Sequence, residues 1–279
     1  MSVSSPASSN HWRTIALRWA EIGAPLRPVT EDVKLVADEA LAWTKNNGRA
    51  PRVLILGVTP ELCRLEWPKG TSVCAVDQSP DMIRAVWPGD PAQVTTSNWL
   101  DVGSVHAPGS FDIVVCDGGL HLLPYPDGQS QLSQVIAKLL TPKGLAIFRL
   151  FALPKVSESI AQVLAALANG KITDMNRLKL RMGMALQKDS TTGACLGDVW
   201  NCIAAVEPDL AALARRLGWR REHAEALVSY RDSSNRYYFS TPQAAIGCLE
   251  SSGQLRCVRT HLPSYPAAEQ FPTIVWERL

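Results

Sequence analysis

Short unbroken apolar runs alternate with longer amphipathic stretches over the first 150 residues, and beyond them the amphipathic stretches continue alone. The runs are Val53–Leu56, Val73–Val76, Gln93–Thr96, Phe111–Cys116 and Leu145–Phe151. Most are rich in Val, Ile and Leu with no polar alternation, the pattern of strands buried on both faces of a parallel sheet. Three of them are closed by breakers: Gly57, Asp77-Gln78-Ser79 and Asp117-Gly118-Gly119. Between them lie helix patterns, one capped by Ser79 and running to Trp87, another capped by Asp127 and covering Gln129–Leu140. Upstream, His11–Ile22 carries Trp12, Ile15, Leu17 and Trp19 at helix-like spacing, and Thr30 caps a helix over Glu31–Asn46. The two-proline segment Gly23–Val29 between them is extended, either a hinged cover or a plain connector.

From Pro154 to Ser240 only helices are predicted: Val156–Ala168, Asp174–Gln187, Asp198–Val206, Asp209–Leu217 and Glu222–Tyr230. The first is assigned to the core, and the rest form an insertion whose Met-rich stretch Met175–Met184 is either a cover over the site or a satellite core. Thr241-Pro242 opens a further helix to Ser251, and Leu255–Leu262 and Thr273–Leu279 read as final strands with an antiparallel last strand. The fold class expected is α/β, a Rossmann-like doubly wound sheet with N-terminal helices and a helical insertion. Its parts are a helical cap (1–48), a core (49–153), the insertion (154–240) and a completion of the core (241–279).

Chemistry enters at the first two strands. Asp77 ends the second strand 20 residues after Gly57, the spacing at which a βαβ unit holds a nucleotide ribose by its hydroxyls. A dinucleotide fold requires G-x-G-x-x-G, but Thr59 and Leu62 occupy the second and third glycine places, which disfavours NAD and FAD. A nucleoside without phosphates is not disfavoured. In this glycine turn and acid the chain resembles the class I S-adenosylmethionine-dependent methyltransferases, although their acid in the first strand and their further loop glycines are missing. The resemblance extends to Asp117-Gly118 after the fourth strand and to the turn Pro142-Lys143-Gly144. It implies S-adenosyl-L-methionine as cofactor, held by Gly57, Val58, Thr59, Asp77, Gln78, Met82, Asn98, Trp99, Asp117 and Gly118. Asn98 and Trp99 stand where the family places an adenine contact, though Trp99 also suits gap filling. His121 is the candidate catalytic base, or else a histidine hydrogen-bonded at the sheet edge. Tyr125 and Arg236-Tyr237-Tyr238-Phe239 are candidates for a substrate pocket or for core.

Composition narrows the partners. A net charge of +2 over 279 residues, with scattered lysines and arginines, disfavours nucleic acid. Neither a signal sequence nor about 18 consecutive apolar residues is present, so a cytoplasmic location with no membrane partner is expected, and the oligomeric state stays open. Cys63, Cys74, Cys116, Cys195, Cys202, Cys248 and Cys257 form no C-x-x-C pair and read as buried thiols, with no metal. The activity expected is methyl transfer to a small or medium-sized metabolite. Two alternatives stay open: use of the same cofactor without methyl transfer, and nucleoside binding without catalysis.

Overall fold

The computed structural model describes residues 6–279. Its centre is a seven-stranded sheet built from β1 (Arg52–Leu56), β2 (Ser72–Asp77), β3 (Val94–Thr96), β4 (Phe111–Asp117), β5 (Leu140–Arg149), β8 (Leu255–His261) and β9 (Thr273–Arg278). The order is β3-β2-β1-β4-β5-β9-β8, in which β9 pairs antiparallel with both β5 and β8 while the pairs from β3 to β5 are parallel. The expected doubly wound sheet with an antiparallel last strand is therefore present.

Side-chain alternation along β1 shows why the run had to be continuous. Val53 and Ile55 enter one core with Val36, Ala40 and Trp43 of α2 (Thr30–Asn47), on the side that also takes Leu62 of α3 (Pro60–Cys63). Leu54 and Leu56 enter the opposite core, with Leu132 and Ile136 of α5 (Asp127–Leu139) and Ala245 and Leu249 of α11 (Pro242–Glu250). Full burial of such a side chain contributes about 1.5–3 kcal/mol, so a polar residue at any of these positions would cost a layer contact. Since α2 packs on the sheet, the expected cap of 1–48 divides into a covering segment and a true core helix.

The edge away from the site is tied by Asp112, fully buried at the start of β4. Its carboxylate accepts from both guanidinium nitrogens of Arg49 at 2.7 Å, from the Arg52 amide at 2.9 Å and from Thr141 Oγ1 at 2.8 Å. These bonds hold its carboxyl well below the usual carboxylate range, against the opposing effect of burial.

Several sequence expectations are corrected. The first helix, α1, runs Pro6–Leu17 and is followed by a 3₁₀ turn over Trp19–Glu21, so Pro6–Ser9 is helical; the start of the stretch expected to be loose, 1–5, lies outside the described residues. The helix assigned to Val156–Ala168 is α6 (Ile160–Ala168), and it does not belong to the sheet core. Its Val163 and Leu167 pack with α7 (Met175–Leu186), α8 (Leu196–Val206), α9 (Leu210–Leu217) and α10 (Arg221–Glu225) around a separate core that includes Leu178, Met182, Val199, Ile203 and Leu213. The insertion is not purely helical either, because β6 (Ala194–Cys195) pairs antiparallel with β7 (Arg236–Tyr237). Pro142, Lys143 and Gly144 lie within β5 as a bulge rather than ahead of it, and Phe151 lies past its end. Of the cysteines only Cys116 and Cys248 are buried, the others being half-buried. No helix among the described residues is long and apolar enough to cross a membrane.

Candidate functional site

Register brings three breakers to one edge. Leu56 is level with Val76 on one side and with Cys116 on the other, so Gly57, Asp77 and Asp117 leave the sheet together. At Gly57 the chain turns with φ of 97°, a conformation that favours glycine, and its amide donates to the Val76 carbonyl at 2.8 Å. The same carbonyl accepts from Trp99 Nε1 at 3.1 Å, which lays the indole beside the turns after β1 and β4. Trp99 thus packs on the core and also lines the cleft.

The cleft has two chambers that share Trp12, Asp77, Trp99, Leu122 and Tyr237. The outer one, about 350 Å³, is lined also by Gln78, Asn98, Asn235, Arg236 and Tyr238. The inner one, about 140 Å³, is walled by Gly57, Val58, Thr59, Met82, Asp117, Gly118, His121, Phe151, Lys179 and Tyr230. All eleven residues singled out in the sequence line one chamber or the other. Arg236, Tyr237 and Tyr238 line them too, whereas Phe239 is buried behind them and Tyr125 packs against the sheet core.

Asp77 is prepared to receive donors. Its Oδ1 accepts from the Ser79 amide at 2.7 Å, and Ser79 in turn caps α4 (Pro80–Val86) through the Met82 amide at 3.3 Å. Burial pushes its carboxyl up to about 6, with the Ser79 bond opposing. Asn98 spends its carbonyl on the Leu100 amide at 2.9 Å and leaves its amide near Gln78 Oε1 at 3.5 Å.

Asp117 is present at the edge, but its carboxylate turns away from the cleft. It accepts from Arg149 Nε at 2.5 Å and Nη2 at 3.2 Å, and Arg149, buried beneath, also donates to the Pro25 carbonyl at 3.0 Å. What Asp117 and Gly118 offer a ligand is backbone. A side chain at Gly118, whose φ is 59°, would meet the Phe151 ring at 2.6 Å. The connector 23–29 is no plain link, since Pro25 is held by Arg149 and Leu26 lines the inner chamber.

His121 is buried among rings: Phe239 stacks at 5.4 Å and 6°, Phe151 at 5.0 Å and 30°, and Tyr237 meets it edge-on at 4.6 Å. Burial lowers its imidazole to about 3, and Nδ1 has no hydrogen-bond partner. The protonated ring would have no counter-charge to stabilise it there.

Sequence reasoning missed Trp12, Trp19, Lys179 and Tyr230, which come from α1, the turn after it and the insertion. The apolar stripe Met175, Leu178, Met182 on α7 carries Lys179 four residues after Met175, inside the stripe; a lysine at such a place was the available signal. Among the described residues no three His, Cys, Asp or Glu side chains are gathered as a metal site.

No protein-family model matches the chain, and no curated protein sequence matches it. Solved structures do. A Rhodobacter sphaeroides protein provisionally assigned to the Zn-dependent alcohol dehydrogenases is similar over 99% of this chain and 100% of its own, with a TM-score of 0.60 and 13% identity. The N-methyltransferase NodS of Bradyrhizobium japonicum, in complex with S-adenosyl-L-homocysteine, is similar over 95% of this chain and 98% of its own, with a TM-score of 0.45 and 11% identity. The 1,6-didemethyltoxoflavin-N1-methyltransferase of Burkholderia thailandensis is similar over 99% and 92%, with a TM-score of 0.44 and 15% identity. At these identities the likeness is one of fold alone, and the strand order β3-β2-β1-β4-β5-β9-β8 is that of a Rossmann-like doubly wound sheet with an antiparallel last strand.

Proposed function

We propose that the cleft binds S-adenosylmethionine and that the protein is a cytoplasmic enzyme transferring the methyl group to a small or medium-sized metabolite. The observation that carries this reading is convergence: Gly57 and Asp77, chosen from their spacing, and Asn98 and Trp99, chosen from the resemblance, meet at the carboxyl ends of β1, β2 and β3. Ligands of open α/β sheets bind at that edge. The residues fit the cofactor. Asp77 offers a desolvated acceptor for two ribose hydroxyls, Trp99 and Asn98 offer a face and an amide to a base, and the Gly57-Val58-Thr59 turn carries no cation for a phosphate. When bound, the cofactor supplies an electrophilic methyl on a sulfonium.

The chain's own residues then have two tasks, alignment and exclusion of water. Trp12 and Trp19 close the inner chamber from the N-terminal side, and Tyr230 and Tyr237 close it from the insertion. His121, held neutral and stacked between two phenyl rings, contributes wall rather than proton transfer. This favours an acceptor that attacks without first surrendering a proton to the protein. The test is incubation with labelled cofactor and a metabolite extract, with mass analysis of both products. S-adenosylhomocysteine and a methylated metabolite are expected. Methylthioadenosine instead would mean attack on another sulfonium carbon, and binding without turnover on any acceptor would leave a nucleoside-binding module.

A further inference from the structure

Lys179 is 4% exposed, on the buried face of α7, and it lines the inner chamber. Its Nζ lies 5.1 Å from the centre of the Tyr230 ring. The charged groups that act on it are Arg18 and Glu21, and these are paired with each other at 2.9 Å. Asp112 has counter-charges in Arg49 and Arg52, Arg149 in Asp117 and Asp32, and Glu39 in Arg259 and His261. Lys179 has none among the described residues. An ammonium withdrawn from water without an anion is costly, and burial here pushes it down to about 8, so at neutral pH it is still charged. A buried, unpaired cation aimed into a cleft is the mark of a group whose partner arrives with the ligand.

We propose that Lys179 binds a carboxylate of the ligand in the inner chamber. This rests on the reading of the cleft as a cofactor site. One compact ammonium between tryptophan and tyrosine rings, with the Arg18 guanidinium of the same chamber already paired with Glu21, suits a single carboxylate rather than a phosphate. The dry aromatic walls strengthen that pair relative to water. Two ligands carry such a group in such a place: the amino-acid end of the cofactor, or an acidic acceptor.

The experiment compares the full chain with Lys179→Met and Lys179→Arg by calorimetry. The probes are S-adenosylhomocysteine, methylthioadenosine, which keeps the nucleoside and sulfur but lacks the amino-acid end, and benzoate. If the cofactor supplies the carboxylate, Lys179→Met loses roughly 10- to 100-fold for S-adenosylhomocysteine and nothing for methylthioadenosine, and Lys179→Arg recovers most of the loss. If the acceptor supplies it, both nucleosides bind as before, and benzoate binding to the S-adenosylhomocysteine-saturated protein is lost in Lys179→Met. Equal losses for both nucleosides, or native behaviour with all three probes whether or not benzoate binds, would overturn the proposal. A native protein that binds neither nucleoside refutes the cofactor reading instead, and benzoate with the free protein then decides for Lys179.

Discussion

Replacing Asp77 by asparagine should make the free protein more stable and its ligand complex weaker. The carboxyl is raised from 3.8 to about 6 by burial, a change of about two units, and each unit corresponds to about 1.4 kcal/mol. A raised acid binds its proton more tightly in the folded chain than in the unfolded one, so it opposes folding once the pH is above both values. At pH 7 the full penalty, about 3 kcal/mol, is in force; it fades as pH falls from 6 toward 3.8. Asparagine keeps an acceptor for the Ser79 amide and has nothing to ionise. Asp77→Asn should therefore gain about 2–3 kcal/mol in urea unfolding at pH 7 and nothing near pH 4. It should also lose at least about tenfold in S-adenosylhomocysteine affinity, since a hydrogen bond to a charged group is worth about 1.5–3 kcal/mol. A variant less stable than the native chain at pH 7, or a gain that does not shrink with acid, would refute the reasoning.

The remaining expectations follow from neighbouring features. His121, lowered to about 3, must stay neutral while the unfolded imidazole takes up a proton below 6.5, so the native protein should lose stability as pH falls through that window. His121→Phe should flatten the loss in unfolding curves, and once an acceptor is known its turnover should stay near native, with no limb in the pH profile near 6.5. Asp112→Ala removes the buried acceptor shared by Arg49, Arg52 and Thr141 and should cost about 1–3 kcal/mol in urea unfolding, with no effect on S-adenosylhomocysteine affinity corrected for the folded fraction. In hydrogen exchange, the chamber-facing segments around Lys179, Tyr230 and Tyr237 should gain protection with ligand, while the satellite core around Val199 and Ile203 stays protected throughout.

The sheet was readable because its strands are sandwiched between two cores. Val53 to Leu56 has no polar face to show, and the spacing from Gly57 to Asp77 is a local consequence of one strand, one short helix and one return. What depends on the third dimension was not readable. Lys179 stands out inside an apolar stripe, but only the fold gathers Trp12, Trp19 and Tyr230 around it as a chamber. Asp117 carries the same letters whether its carboxylate faces a ligand or Arg149, and only the fold brings Arg149 beneath it. The stretch Gly119-Leu120-His121-Leu122 looks like an exposed turn because Phe151 and Phe239, which enclose the imidazole, are distant in the chain. The pair β6–β7 is two residues a side, too short for any period to register.

Arg149 joins the end of β5 to the carboxylate after β4 and to the carbonyl of Pro25. One guanidinium thus draws a dividing line through the N-terminal segment. Downstream of Pro25 the chain is bolted to the sheet, through Arg149 here and through Arg27 to Glu61 of α3. Upstream, α1 rests on α4 by apolar packing and touches the insertion through His11 and Ser229 at 3.1 Å. Closing the chamber and holding the strand ends are therefore separable duties, assigned to opposite sides of a single peptide carbonyl. The stretch before it walls the chamber with Trp12 and Trp19 while taking no part in holding the ends of β4 and β5.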